Sequence, residues 1–165
     1  MTLADTNIVS TFGRVDALAL LLQLLTEDRL EVTQATCGEL RKAVEAGCAY
    51  LESILSSVDK GGDLALVALT ETEILSLKEL PSSLGAGEAE SIAVCLHRPG
   101  TRFLTNDKRA RNYCHEHGIP CLDLPSCLRA LWVRKVIAKK EVRGVLRRIE
   151  TEQGLVIKNK ERIFQ

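Results

Sequence analysis

The 165-residue sequence predicts an α/β fold with a mainly parallel sheet. Three observations carry this. Short apolar runs recur along the chain, each followed by a longer segment with helical spacing of its apolar residues. The segments are parted by turn-forming clusters, Gly61-Gly62 and Pro81-Ser82-Ser83. The strand–helix alternation repeats through the chain, the pattern of a sheet covered by helices rather than of an all-β or all-α domain.

Taken in order, Thr2–Ala4 is the first apolar run and ends at Asp5, which can also cap a helical segment over 6–12. Residues 30–33 are the second run, bounded by charges. A single helix is expected over 36–57, with Leu40, Val44, Cys48, Leu51 and Leu55 on one face. Residues 64–69 are a third run, whose composition also suits a helix. Residues 86–97 place Ile92, Cys95 and Leu96 on one helical face. The run 102–105 is followed by Asp107, and His115-Glu116-His117-Gly118 reads as a helix end with Gly118 as its cap. Residues 119–122 form the fifth run. The last helix, 138–150, buries Val142, Val145, Leu146 and Ile149 and carries Lys139, Lys140, Arg143, Arg147 and Arg148 around them.

Hydrophobic residues make up 45% and charged residues 27%, as expected of a globular domain large enough to bury a core. No apolar stretch reaches membrane-spanning length, and the start lacks the basic-then-apolar pattern of a secretory signal. Six cysteines without a Cys-x-x-Cys pair read as free thiols of a cytoplasmic protein. The formal net charge is zero, but residues 132–165 hold ten Lys/Arg against four Asp/Glu, so an acidic body carries a basic end. That split suits a protein that holds cations in one place and touches phosphates in another.

Four acids draw attention by position. Asp5 and Asp107 end apolar runs and so lie at the carboxyl edge of a parallel sheet, where open α/β folds bind ligands. Glu39 and Glu88 stand in the first turns of helices that start at the same edge. Glu88 also interrupts an apolar stripe, four residues before Ile92 and seven before Cys95. A half-buried carboxylate needs a partner, a cation or a proton. Taken singly, each acid is an ordinary helix cap or a complement to a helix dipole. Taken together they suit a hard divalent cation such as Mg²⁺ or Mn²⁺.

The residues resemble the PIN-domain family. Asp5-Thr6-Asn7 after a short strand is similar to the opening of its members. Gly87-Glu88-Ala89-Glu90-Ser91-Ile92-Ala93 looks like the Gly-Glu-Ala-Glu segment of one branch, and Leu104-Thr105-Asn106-Asp107, with Arg109 and Arg111 following, resembles the third signature. The resemblance covers residues 1–131 and implies a three-layer α/β/α sandwich there; residues 132–165 continue past it as a basic helical extension, packed on the domain or linked to it. The resemblance implies an Mg²⁺- or Mn²⁺-dependent endoribonuclease acting on single-stranded RNA, and for many members the toxin role of a toxin–antitoxin pair. Asp5, Glu39, Glu88 and Asp107 would be the catalytic metal ligands. Asn7, Thr105 and Asn106 would orient ligands or substrate, and Glu90 is the alternative to Glu88. Implied partners are RNA, an antitoxin protein and a second copy of the chain, with no membrane. Lys140, Arg143 and Arg147 on the extension are candidates for RNA contact, and the extension, its basic helix together with the tail 155–165, goes beyond the simplest toxins. The other reading keeps the scaffold without its activity, binding RNA or a protein.

Rival chemistries fit less well. Cys114, His115, His117 and Cys121 match no zinc-finger spacing, and no feature marks an activated thiolate. Gly85-Ala86-Gly87 is too short to cradle a phosphate. Asn7 stands where a haloacid-dehalogenase-type phosphatase would need a second Asp.

Overall fold

A computed structural model describes residues 1–165 apart from Asp59, Leu155, Lys158 and Asn159. Of the expected tail 155–165, positions 155, 158 and 159 therefore lie outside the described residues. The strands are β1 (Thr2–Ala4), β2 (Leu30–Val32), β3 (Leu64–Leu66), β4 (Arg102–Leu104) and β5 (Cys121–Leu122). They form one parallel sheet in the order β3-β2-β1-β4-β5. The helices are α1 (Thr6–Arg14), α2 (Leu18–Leu25), α3 (Gln34–Glu45), α4 (Tyr50–Ser56), α5 (Glu71–Ser76), α6 (Ala86–His97), α7 (Lys108–Glu116), α8 (Leu124–Val133) and α9 (Lys139–Gln153).

The period-2 geometry of strands divides the core in two. In β1, Leu3 joins one cluster with Phe103, Ile92, Val94, Ala110 and Cys114. Its neighbour Ala4 joins the other, with Ile8, Phe12, Leu21, Leu128 and Leu104. Helices thus cover both faces of the sheet, giving the three-layer α/β/α sandwich. Val142, Val145, Leu146 and Ile149 of α9 lie in the same cluster as α1, α2 and α8, so the end of the chain is packed into the main core.

Two helices appear where one was expected over 36–57. Helix α3 stops at Glu45 because Gly47 takes φ +106°. The amide of Cys48 then bonds the Ala43 carbonyl and that of Gly47 the Val44 carbonyl, both at 2.9 Å, which closes the helix in a Schellman motif. The chain restarts as α4, whose Leu51 is fully buried. Gly118, φ +68°, ends α7 in the same way.

Helices α2 and α5 have weak sequence signals for opposite reasons. Five of the eight residues of α2 are buried leucines, so no polar face marks its period. Helix α5 has only six residues and is set by its capping box. Thr70 Oγ1 accepts the Glu73 amide at 3.3 Å, and Glu73 Oε2 accepts the Thr70 amide at 2.7 Å. Among the described residues no single helix is long and apolar enough to cross a membrane.

Glu73 is 1% exposed and has a second task. Arg98, at the end of α6, donates Nε to its Oε1 at 2.6 Å and Nη2 to its Oε2 at 2.8 Å, and Nη2 also donates to the Ala68 carbonyl at 2.8 Å. These bonds hold the Glu73 carboxyl down at about 2, so the pair contributes above pH 4.5 and is lost only as pH falls through about 2. Truncating Arg98 to Ala strands a buried charge. We expect it to cost about 3–5 kcal/mol in urea unfolding at pH 7; a loss below 1 kcal/mol would show that Glu73 is held by its cap alone.

Candidate functional site

Strand order decides where a site can form. The chain lays β1, β2 and β3 in one direction and then returns to place β4 on the other side of β1. Strands β1 and β4 are therefore neighbours at a topological switch point, where the connections leave in opposite directions and open a crevice at the carboxyl edge. Asp5 follows β1 and Asp107 follows β4, one on each side of that crevice. The Asp5 amide donates to the Leu104 carbonyl at 3.0 Å.

Each acid is held by a helix N-terminus. Asp5 caps α1, its Oδ1 accepting the Ile8 amide at 2.7 Å. Asp107 caps α7, its Oδ1 accepting the Ala110 amide at 2.8 Å. The buried Thr105 hydroxyl links the two: it accepts the Asp107 amide at 3.0 Å and donates to the Asp5 carboxylate. Glu88 curls back over the start of its own helix, α6, against Gly85.

Helices α3 and α6 begin side by side and cap each other. Glu39, on α3, accepts the Gly87 amide of α6 at 3.4 Å. Glu90, on α6, accepts the Ala35 amide of α3 at 2.9 Å. Such exchange satisfies orphan amides and sets a negative charge at each positive helix end. It also explains Gly87. A Cβ there would stand 2.9 Å from Thr36 Oγ1 and 3.3 Å from both Glu39 oxygens. Thr6 completes the arrangement with a short hydrogen bond to Glu39 Oε2.

The four acids are thus neighbours. The structure places Asp5 and Glu88 on one cleft of about 410 Å³, with Thr6, Asn7, Ser10 and Arg14. Glu39 and Asp107 stand close enough to Glu88 for their charges to act on it. Burial pushes the Asp5 carboxyl up to about 6, with the Glu88 charge adding to it and the bonds from Thr105, Ile8 and Asn106 opposing it. Glu88 is raised by its own partial burial and by the Glu39 and Asp107 charges. Among the described residues no three His, Cys, Asp or Glu side chains are gathered tightly enough to hold a metal ion. Carboxylates repel one another, and Asp5, Asp107, Glu39 and Glu88 each face amides at a helix start. The set is all hard oxygen and short of counter-charge, which fits Mg²⁺ or Mn²⁺.

The supporting residues fall into place around this. Asn106 donates to Asn7 Oδ1 at 2.6 Å and accepts the Leu124 amide at 2.8 Å, tying α1 to the start of α8. Glu90 faces the α3 amides. Lys140, Arg143 and Arg147 are exposed on α9 and line no part of the cleft. The Arg143 guanidinium, though exposed, lies over the Phe164 ring, 5.0 Å from its centroid. Other residues that line or support the cleft carry no motif in the sequence. Tyr50 bonds Ser10 at 2.6 Å, the Arg14 guanidinium lies over the Tyr50 ring at 5.4 Å, and Gln153 of α9 bonds Thr11. Only Thr6, inside the Asp5-Thr6-Asn7 triplet, carried a local signal.

A family model described as a PIN domain matches residues 1–162. No curated protein and no solved structure matches the chain.

The raised Asp5 carboxyl has a thermodynamic consequence. Between pH 3.8 and about 6 the folded chain keeps a proton that the unfolded chain releases, so stability falls as pH rises through that window. Removing the charge while keeping the shape, by Asp5→Asn, should therefore raise the melting temperature in EDTA at pH 7.5, by up to about 3 kcal/mol of stability. The gain should fade toward pH 4. A variant that melts lower than wild type at pH 7.5 would show that the Thr105 and Ile8 bonds outweigh burial.

Proposed function

The chain belongs to the PIN-domain family, and on that premise we propose that it is a metal-dependent endoribonuclease cutting single-stranded RNA. The fold is of nuclease type, and PIN domains typically use divalent metals. The observation that carries the finer reading is Asp5, a carboxylate 4% exposed at the β1–β4 crevice, with the Glu88 charge set against it. A pure scaffold has no use for that repulsion. A divalent cation offsets it, and when bound it supplies an activated water and neutralises phosphate charge.

The chain's own residues have definable tasks in this reading. Asp5 and Glu88, which line the cleft, would hold the ion, with Asp107 and Glu39 as the further carboxylates close to Glu88. Thr105 fixes the Asp5 carboxylate and couples it to Asp107. The Asn106–Asn7 bond ties the segment after β4 to the start of α1, beside Asp5. Arg14, exposed on the lining of the same cleft, would attract a phosphodiester and help orient the strand. The toxin role, an antitoxin partner and a homodimer belong to the same proposal and rest on the family resemblance.

One observation favours the alternative, a scaffold that binds RNA or protein without cutting. The acids are already bonded to helix amides, so the fold does not need a cation. The two readings part under Mn²⁺. A labelled single-stranded RNA should be cut by wild type with Mn²⁺ and left intact with EDTA. Asp5→Asn and Glu88→Gln should each lose at least on the order of a hundredfold in rate. Glu90→Gln should cut nearly as wild type, because an amide oxygen still caps α3. Cleavage surviving in Asp5→Asn would overturn the reading, as would an RNA untouched by wild type at any Mn²⁺ concentration.

A further inference from the structure

Most of the basic charge after residue 131 does not reach the acidic cleft, and one part of it is delivered elsewhere with some care. The described end of the chain, the 3₁₀ turn Lys160–Phe164, is pinned. Ile163 is 1% exposed, and its carbonyl accepts the Trp132 indole N–H at 2.7 Å. That anchorage leaves Arg162 exposed on the lip of a groove of about 480 Å³, shared with Arg111, Arg129, Asp123 and Ser126. Three guanidiniums face one carboxylate there. Arg111 is held by that carboxylate at 2.5 Å, while Arg129 makes only a 3.5 Å contact to the Gln165 carbonyl.

The groove is an extension of the same edge of the sheet. Asp123 follows β5 and caps α8 through Ser126, as Asp107 follows β4 and caps α7. Arg111 is one turn along α7 from Asp107, about 6 Å at 1.5 Å per residue. Side chains on a helix lean toward its N-terminus, so Arg111 reaches back to the carboxyl edge. The Leu124 amide at the start of α8 donates to Asn106, whose own amide donates to Asn7 at the crevice, so the two places are linked through one side chain.

From this the geometry points to a substrate-tracking subsite: Arg111, Arg129 and Arg162 hold backbone phosphates of the single-stranded RNA on the β5 side of the scissile bond. The inference rests on the nuclease reading for its choice of ligand, and it gives the end of the chain a role in binding. An acidic crevice repels a polyanion, so affinity must come from a basic surface close by. Guanidiniums suit phosphate because they stay charged and present forked donors. Contacts to phosphate alone carry no sequence preference.

The test is binding, kept separate from cleavage. A fluorescein-labelled oligouridylate is titrated by anisotropy in EDTA across a salt series, with wild type, Arg129→Gln/Arg162→Gln, Arg129→Lys/Arg162→Lys, and Lys140→Gln/Arg147→Gln. All four positions are exposed, so folding should be kept, and melting curves check it. The Gln pair at the groove should weaken binding on the order of tenfold at low salt and flatten the log–log salt slope by about 1.4, two phosphate contacts' worth for a single strand. The Lys pair should restore the slope, since counterion release needs charge alone. The α9 pair should leave the slope unchanged. An unchanged slope in the groove variant, or a slope carried by the α9 pair, would overturn the subsite. So would an oligoglutamate peptide that displaces the RNA and binds more tightly, which would assign the groove to an acidic protein. Absence of Mn²⁺-dependent cutting with the salt result intact would instead strike only the nuclease reading.

Discussion

The structure depends on where its helices begin. In a parallel sheet with short connections, helices run back against the strands, so their N-termini gather at the carboxyl edge. Helices α1, α3, α6 and α7 all start there, each with amides that lack an intrahelical partner. Asp5, Asp107, Glu39 and Glu90 meet those amides. The same condition that closes the helix ends thus loads one edge of the sheet with acids. A site for a hard cation and the capping of the fold are made from one set of side chains, and repulsion among them is tolerated because every helix end contributes partial positive charge.

This double use explains the tension at the crevice. Asp5 is stabilised as an anion by three donors, yet burial still wins and its carboxyl is raised to about 6. Glu88 bonds backbone at the start of its own helix while feeling two neighbouring charges. Gly87 is the point where the arrangement has no slack, because any side chain there would push on Glu39 and Thr36. Glycine at this position is required by the close approach of two helices.

The end of the chain belongs to the same body. Helix α9 adds four apolar residues to the larger core, Gln153 reaches the cleft wall through Thr11, and Arg148 bonds the Val15 carbonyl. Lys139 packs over Trp132, 4.4 Å from the ring centroid, as Arg143 does over Phe164. Cations on an amphipathic helix can bury their stems on aromatic surface, so a basic face in sequence overstates the charge free to meet a partner.

Local patterns were legible in the sequence because their causes are local. Strand and helix periods are set by side chains a few residues apart, so β1 was read to its bounds, and α6 likewise. Asp5 and Asp107 were readable as acids at strand ends, and Gly118 as a helix end, because capping acts within one turn. The Gly47 break was missed because the apolar spacing of Leu40, Val44, Cys48, Leu51 and Leu55 runs across it; the backbone conformation of one glycine overrides a period carried by side chains. What only the tertiary structure decided depends on which elements become neighbours. The order β3-β2-β1-β4-β5 put Asp5 beside Asp107, about a hundred residues apart in the chain. It set Glu90 on α3 rather than toward the cleft, and carried Arg162 back to Arg111. No local propensity encodes those meetings, since they follow from burying two faces of one sheet at once.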